Sequence, residues 1–297
     1  MKNKQGHLAA LVTVVIWGTT FISTKLLLAE LAPLSILVIR FVIGYAALMI
    51  VCPHRLRDVT ARQEAAFAAA GLCGICLYYL LENVALTYTL ASNVGVIISV
   101  APFFTALLSH VINRESEPLR AGFFVGFAIA MTGIALISFG GSRLEINLKG
   151  DLLALLAAAV WACYSVLTRK IAGFGYPTLL TTRHIFFYGL LFMAPAALLM
   201  NAEIRLDTIL AHPAHVWHLL YLGVGASALC FVTWNSAVKL LGAVKTSVYI
   251  YMVPAITVTA SALVLRERIT VIAIVGTVLT LTGLFLSEKE SFRKRRP

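Results

Sequence analysis

Long apolar segments alternate with short polar breaks along the whole chain. Each segment carries few ionised side chains and has about the length of a membrane-spanning helix, which needs about 20 mostly apolar residues. The pattern predicts an all-α membrane protein with ten transmembrane helices. The ten segments cover residues 8–28, 34–52, 65–87, 92–112, 119–138, 150–171, 178–200, 215–236, 244–265 and 269–288.

The composition agrees with this pattern. The sequence is 60% hydrophobic and 12% charged, whereas soluble domains are about 45–50% apolar and about 25% charged. A net charge of +11 on a soluble protein would indicate a nucleic-acid partner, but basic residues also flank membrane spans on the cytoplasmic side. We therefore predict a membrane-embedded protein without a nucleic-acid partner.

The second half of the chain repeats the pattern of the first. Residues of rare types recur in the same order, which chance does not readily produce. Each repeat holds five predicted spans, an odd number, so the two repeats enter the membrane from opposite sides. We predict two inverted units, residues 1–145 and 146–297, with a site between them near the middle of the membrane. The corresponding residues include Trp17 and Trp161, Asn83 and Asn235, Pro102 and Pro254, and Glu115 and Glu267.

Lys and Arg are distributed unequally between the polar breaks. If the N-terminus is cytoplasmic, most of the 24 Lys and Arg residues fall on the cytoplasmic side, including those between Lys289 and Arg296. Because positive charge accumulates in cytoplasmic loops, we expect both termini to be cytoplasmic.

Short motifs also follow one another in a fixed order. They are Trp17-Gly18, Arg40-Phe41, Ala85-Leu86, Pro102 with Glu115, and in the second half Pro254 with Glu267. Through these motifs the whole chain resembles the EamA-type exporters of the drug/metabolite transporter superfamily. The resemblance implies ten helices, cytoplasmic termini and export of metabolites across a bacterial inner membrane. The chain is similar to members that handle aromatic and other neutral amino acids.

Two departures from the duplicated pattern leave the substrate open. Ala162 stands where the first half has Gly18, and Trp234 stands opposite Glu82. The resemblance therefore implies the class of protein and not the solute it carries.

Aromatic and hydroxyl side chains share one face in the first and sixth apolar segments, at the spacing of a helix. The third and eighth segments add further aromatic and amide groups. We predict that these faces line a substrate cavity. Interior packing would also explain them, and the two asparagines could instead join helices. The candidate residues are Trp17, Thr20, Phe21, Tyr78, Tyr79, Asn83, Trp161, Tyr164, Trp234 and Asn235.

Two prolines and two arginines occupy corresponding positions of the halves. Pro102 and Pro254 lie near the centres of the fourth and ninth segments, where each removes a backbone donor and forms either a gating hinge or a static kink. Arg40 and Arg183 lie close enough to span ends to extend to the lipid headgroups, although either could bind a substrate carboxylate. Glycines such as Gly133 indicate close helix contacts.

Glu82 is the one acidic residue placed well inside a predicted span. Acidic groups in spans often belong to proton relays, which makes Glu82 a candidate for proton coupling. It lies toward the outer end of the third segment, however, and this position favours a solvated outer vestibule. We therefore expect transport to be driven mainly by the gradient of the solute, with at most weak proton coupling.

The motifs of several enzyme classes are absent from the sequence. It contains no HExxH, no GxSxG and no Gly-Lys-Ser/Thr phosphate loop. We predict that the protein is not an enzyme and has no cofactor, no metal site and no ATP-hydrolysing subunit, and that its partners are a small-molecule substrate and membrane lipid.

The predicted function is secondary transport. We expect export of small organic metabolites, foremost neutral or aromatic amino acids, by alternating access between the two repeats. One alternative is export of lipophilic organic cations, which aromatic rings attract. Another is a membrane scaffold or receptor without transport.

Overall fold

The computed structural model describes residues 2–112, 121–139, 147–199, 204–267 and 269–292, and these residues contain helices and no strands. The all-α prediction is confirmed for this part of the chain. A short helix, Leu206–Ala211, precedes α8. The long helices are α1 Lys2–Leu27, α2 Pro33–Val51, α3 Ala61–Tyr88, α4 Ala91–Ile112, α5 Ala121–Phe139, α6 Leu148–Ala172, α7 Thr178–Leu199, α8 Pro213–Leu241, α9 Ala243–Val264 and α10 Val271–Phe292.

Seven of the described helices are long and apolar enough to cross a membrane, namely α1 to α4, α6, α8 and α9. Shorter apolar helices, Phe124–Gly133 and Val271–Leu286, lie within α5 and α10. The remaining long helix, α7, carries Arg183 and His184 among its apolar residues. The described part of the chain therefore has the helices of a multi-pass membrane protein.

Local sequence signals set where several helices begin and end. Pro33 occupies the first turn of α2, where its missing N–H costs nothing. Thr60 and Gln63 form a reciprocal capping box at the start of α3. Gly242 ends α8 with a φ of 90°, a conformation that glycine adopts without a steric penalty.

Two π-helical stretches interrupt the regular α-helices, and the apolar pattern does not predict them. One covers Leu72–Leu77 in α3 and the other covers Tyr221–Leu229 in α8. They fall at corresponding places in the two halves of the chain. Such π segments shift the helical register and occur often at functional sites.

The helices of the two halves pack mainly against each other. Helix α1 contacts α8 and α9, and α3 contacts α6 and α7. The close contact predicted for Gly133 is confirmed in the α5–α10 pair, where a Cβ on Gly133 would lie 2.4 Å from the Gly276 carbonyl oxygen. The large buried aromatic residues therefore gather where the first half meets the second.

Candidate functional site

A small cavity of about 30 Å³ lies between α1, α3, α4, α6 and α9. This is room for about one water molecule. Its walls combine aromatic rings, aliphatic side chains and one acid, and both halves of the chain contribute to them. The lining residues are Trp17, Thr20, Phe21, Tyr78, Tyr79, Glu82, Ile98, Trp161, Ile250 and Val253.

The two tryptophans predicted to correspond in the repeats meet at this cavity. The rings of Trp17 and Trp161 pack edge to face with centroids 5.2 Å apart, and Tyr78 lies 4.8 Å from Trp161. Trp17 Nε1 donates a 3.0 Å hydrogen bond to the Ala226 carbonyl oxygen in the π segment of α8. The ring is thus held in one orientation by a contact between the halves.

Four of the candidate residues lie outside the cavity wall. Asn83 donates to the Pro33 carbonyl oxygen at 3.0 Å and joins α3 to the start of α2. Asn235 accepts from the Tyr164 hydroxyl at 2.9 Å and donates to Thr182 Oγ1 at 3.0 Å, which joins α6, α7 and α8. Trp234 packs behind the wall, with its ring 5.0 Å from that of Trp17. In this structure these four residues support the cavity from outside.

Glu82 lies in the cavity wall and is only 2% exposed. The expected solvated outer vestibule is therefore wrong, because neighbouring helices enclose the outer half of α3. Its Oε1 has no hydrogen-bond partner among the described residues. A buried carboxylate oxygen without a donor is costly in a dry setting, so this oxygen needs a partner that the described residues do not supply.

Arg40 is completely buried, and its expected extension to the lipid headgroups is wrong. Its Nε donates to Ser227 Oγ at 3.1 Å, and its Cζ lies 4.3 Å from the ring centroid of Tyr79. Both Nη atoms lack a hydrogen-bond partner among the described residues. Arg40 is near enough to Glu82 for their charges to interact, which places a cation directly behind the aromatic wall.

Arg183, the counterpart of Arg40, is also buried, and its side chain does not extend freely beyond the helix bundle. Its Nη1 donates to the Cys52 carbonyl oxygen at the end of α2. It does not line the central cavity. The two arginines therefore differ in surroundings although they correspond in sequence.

Each of the two prolines lies where a helix begins again after an interruption. In α4 two residues separate the helical stretch Ala91–Ile98 from the stretch Ala101–Ile112, and Pro102 is the second residue of the latter. In α9 a 3₁₀ segment, Val248–Met252, precedes the stretch in which Pro254 is likewise second. At this position a missing N–H costs no helical hydrogen bond. Both breaks lie beside the cavity residues Ile98, Ile250 and Val253.

Charged groups join the helix ends on the side of the cavity predicted to face outward. Glu267 accepts from the backbone N–H groups of Ala91 and Ser92, at 3.1 and 3.3 Å, at the start of α4. Lys25 donates to the carbonyl oxygens of Leu86 and Thr89, the latter at 2.9 Å. The first pair of bonds joins the segment after α9 to the start of α4, and the second joins α1 to the end of α3. Glu115, the sequence counterpart of Glu267, lies outside the described residues.

The sequence profile of the EamA-like transporter family matches this chain twice, over residues 4–139 and again over residues 148–288. The chain belongs to the EamA-like transporter family. The resemblance predicted from the paired motifs is confirmed. The cavity described above therefore lies inside a member of a transporter family.

Full-length relatives of this EamA-family transporter carry related names. An uncharacterized transporter from Archaeoglobus fulgidus is 29% identical, with 96% of this chain and 98% of the relative aligned. A probable terminal-alkyne amino-acid exporter from Streptantibioticus cattleyicolor is 26% identical over 100% of this chain and 97% of its own. A probable amino-acid metabolite efflux pump from Escherichia coli is 26% identical over 97% and 95%.

A crystal structure of another protein shares the fold of this EamA-family transporter. The match has a TM-score of 0.71 and covers 98% of this chain and 99% of the other, at 18% sequence identity. At that identity the match supports the helical arrangement alone.

Some wall residues give no signal in the sequence. Ile98, Ile250 and Val253 line the cavity, but aliphatic residues in an apolar span look the same whether they face lipid, protein or a ligand. Arg40 did give a signal, as one of the few charged residues inside a span. The packing of α8 over Arg40 could not be inferred from the distance of Arg40 to the end of its span.

Proposed function

We propose that this EamA-family transporter exports neutral amino acids, aromatic ones foremost, by alternating access between two inverted five-helix repeats. The repeats are residues 1–145 and 146–297, with ten helices crossing a bacterial plasma membrane and both termini in the cytoplasm. The twofold family match and the π segments at corresponding places support the repeat. The charge bias supports the orientation.

The observation that carries the choice of substrate is that two buried groups of opposite charge, Glu82 and Arg40, lie close to the same aromatic cavity. Among the described residues, one carboxylate oxygen of Glu82 and both Nη atoms of Arg40 have no hydrogen-bond partner. The ammonium group of an amino acid would pair with Glu82, and its aromatic side chain would pack against Trp17 and Trp161. Its carboxylate would reach Arg40, behind Tyr79, when the walls of the cavity separate. The names of two relatives, an amino-acid exporter and an amino-acid efflux pump, agree with this chemistry.

Lipophilic organic cations are the second candidate. Aromatic rings attract cations, and Glu82 supplies a negative charge. Arg40 behind Tyr79 opposes this choice, because a ligand with no negative group would leave the guanidinium unpaired. We therefore rank amino acids first.

A competition experiment in proteoliposomes separates these candidates. We expect phenylalanine to compete for carrier-mediated flux about tenfold better than its methyl ester or 3-phenylpropionate, since each analogue loses one charged hydrogen-bonding group worth about 1.5–3 kcal/mol. Tetraphenylphosphonium serves as the cation probe. Stronger competition by tetraphenylphosphonium than by phenylalanine favours the cation exporter, and the absence of flux of any solute favours a scaffold or receptor.

The positions of the two prolines lead to a prediction about the conformational change that accompanies transport. The cavity of about 30 Å³ is too small for an amino acid, so α4 and α9 must move to admit one. We expect replacement of both Pro102 and Pro254 by Ala to slow transport more than it weakens binding, because the interrupted helices would become continuous. Single-turnover flux and equilibrium binding on the same preparation measure the two effects. Equal losses in both would favour static kinks.

The burial of Glu82 changes the expectation for energy coupling. A carboxylate in the cavity wall can hold either a proton or the ammonium group of the substrate, which is the requirement for exchange of one against the other. We expect a pH gradient, acidic inside the vesicle, to drive uphill uptake by the wild type. Glu82→Gln should abolish uphill uptake, while downhill flux persists at raised substrate concentration because the neutral amide binds the ammonium group more weakly. If the wild type shows no uphill uptake, the result supports the earlier expectation that the solute gradient alone drives transport.

A further inference from the structure

A second cavity lies away from the central site, between the final turns of α2, the segment that follows it and the first half of α7. Its volume is about 370 Å³, far larger than that of the central cavity. The bias of Lys and Arg assigns this end of the helices to the cytoplasm. Arg55, Arg183 and His184 line its polar side, and Met49, Leu56 and Phe187 line its apolar side.

The polar side of this cavity carries positive charge that no described acid neutralises. Neither Arg55 nor Arg183 forms a salt bridge within the described residues. The carboxylate of Glu64, on the adjoining α3, is already engaged. Its Oε2 accepts from the Tyr188 hydroxyl at 2.7 Å and lies 2.8 Å from His184 Nε2.

One of the two arginines is fixed in place. Arg183 is 5% exposed, and its Nη1 donates to the Cys52 carbonyl oxygen. This bond orients the guanidinium plane against the end of α2. Arg55 is exposed and lines the cavity together with Arg183. The cavity therefore combines one pre-oriented guanidinium with one that can approach a ligand.

The apolar side of the cavity continues onto the outer surface of the helix bundle. Met49 and Phe187 are 37% and 45% exposed although both line the cavity. The neighbouring Ile50 and Val51 are among the most exposed apolar residues of α2. In a membrane this surface contacts acyl chains, so the cavity opens from a cationic end directly into the lipid.

We propose that this cavity binds an anionic phospholipid from the leaflet at this end of the bundle. The phosphodiester would lie between Arg55 and Arg183, because guanidinium groups bind phosphate with paired N–H donors. An acyl chain would lie along Met49 and Phe187. Basic pockets between transmembrane helices on the cytoplasmic side suit lipid headgroups. A soluble anion would leave the apolar wall uncovered, so the geometry selects a lipid.

Native mass spectrometry of the detergent-purified protein tests this site with two named probes, dioleoyl phosphatidylglycerol and dioleoyl phosphatidylcholine. We expect the wild type to retain phosphatidylglycerol in preference to phosphatidylcholine. Arg55→Gln should weaken retention of phosphatidylglycerol roughly fivefold, the factor that corresponds to about 1 kcal/mol per basic residue near an anionic lipid. Arg57→Gln is the matched control, because Arg57 is exposed in the same segment and does not line the cavity.

Two further experiments distinguish a specific lipid-binding site from non-specific electrostatic attraction. Met49→Trp fills the apolar side without changing charge, so it should lower retention while leaving the protein folded at this partly exposed position. Inorganic phosphate at millimolar concentration should not displace the lipid. The proposal is overturned if both lipids are retained equally, if Arg57→Gln weakens retention as much as Arg55→Gln, or if phosphate displaces the lipid completely.

Discussion

Arg40→Gln should weaken binding of a neutral amino acid roughly 10- to 100-fold, the factor that corresponds to a lost hydrogen bond to a charged group of about 1.5–3 kcal/mol. Both Nη atoms of the buried guanidinium lack a hydrogen-bond partner among the described residues, and the group lies behind Tyr79, which lines the cavity. The same substitution should leave binding of the methyl ester nearly unchanged, because the ester has no carboxylate to lose. Isothermal titration with phenylalanine and its methyl ester measures both.

Arg183→Gln is the matched control for Arg40. It removes another buried guanidinium from the corresponding helix of the other half, and Arg183 lines a different cavity, away from the central one. Binding of phenylalanine should survive it. If the two variants weaken binding of phenylalanine and of its ester to the same extent, Arg40 has a structural role alone.

Trp17→Ala and Trp161→Ala should each weaken substrate binding by about 2 kcal/mol or more, as truncation of a central aromatic contact does. Each variant removes one partner of the edge-to-face pair at 5.2 Å and one wall of the cavity. Trp17→Ala also removes the hydrogen bond to Ala226 in the other half. Quenching of the remaining tryptophan fluorescence by substrate gives the affinity.

Loss of a large buried ring also destabilises the fold, by about 3–5 kcal/mol, so the control must share that effect. Phe231 is completely buried, packs 5.8 Å from Trp17 and lies outside the cavity wall. Phe231→Ala should therefore lower thermal stability about as much as the tryptophan variants and leave affinity nearly intact. If Phe231→Ala weakens binding equally, the effect of the tryptophans comes from packing.

The positions of the helices could be predicted because a membrane span is encoded in one local property, about 20 apolar residues in a row. Each long helix of the structure overlaps one predicted segment. Irregular stretches such as Leu72–Leu77 could not be predicted, because a π turn depends on packing against neighbouring helices and leaves the apolar pattern unchanged.

The composition of the site could be predicted only in part. The spacing of Trp17, Thr20 and Phe21 was enough to place one wall, because neighbours on a helix face share their surroundings. Asn83 faces α2 instead of the cavity, and the sequence of one helix does not show which neighbour its polar groups meet. The same limit led to the error for Arg40, since the distance to a span end says nothing about the helix that covers it.

The α5–α10 pair has a consequence for how the two halves can move. A Cβ on Gly283 would lie 2.4 Å from the Gly126 carbonyl oxygen and from the Ala130 nitrogen, just as one on Gly133 would collide with Gly276. At these glycines the two backbones touch directly, with no side chain between them to act as a flexible layer. Sliding of one helix along the other would bring residues with a Cβ into this contact, where a Cβ does not fit, whereas a change of crossing angle about the contact would not. We therefore expect this contact to act as a pivot, about which the two halves turn when the aromatic walls separate.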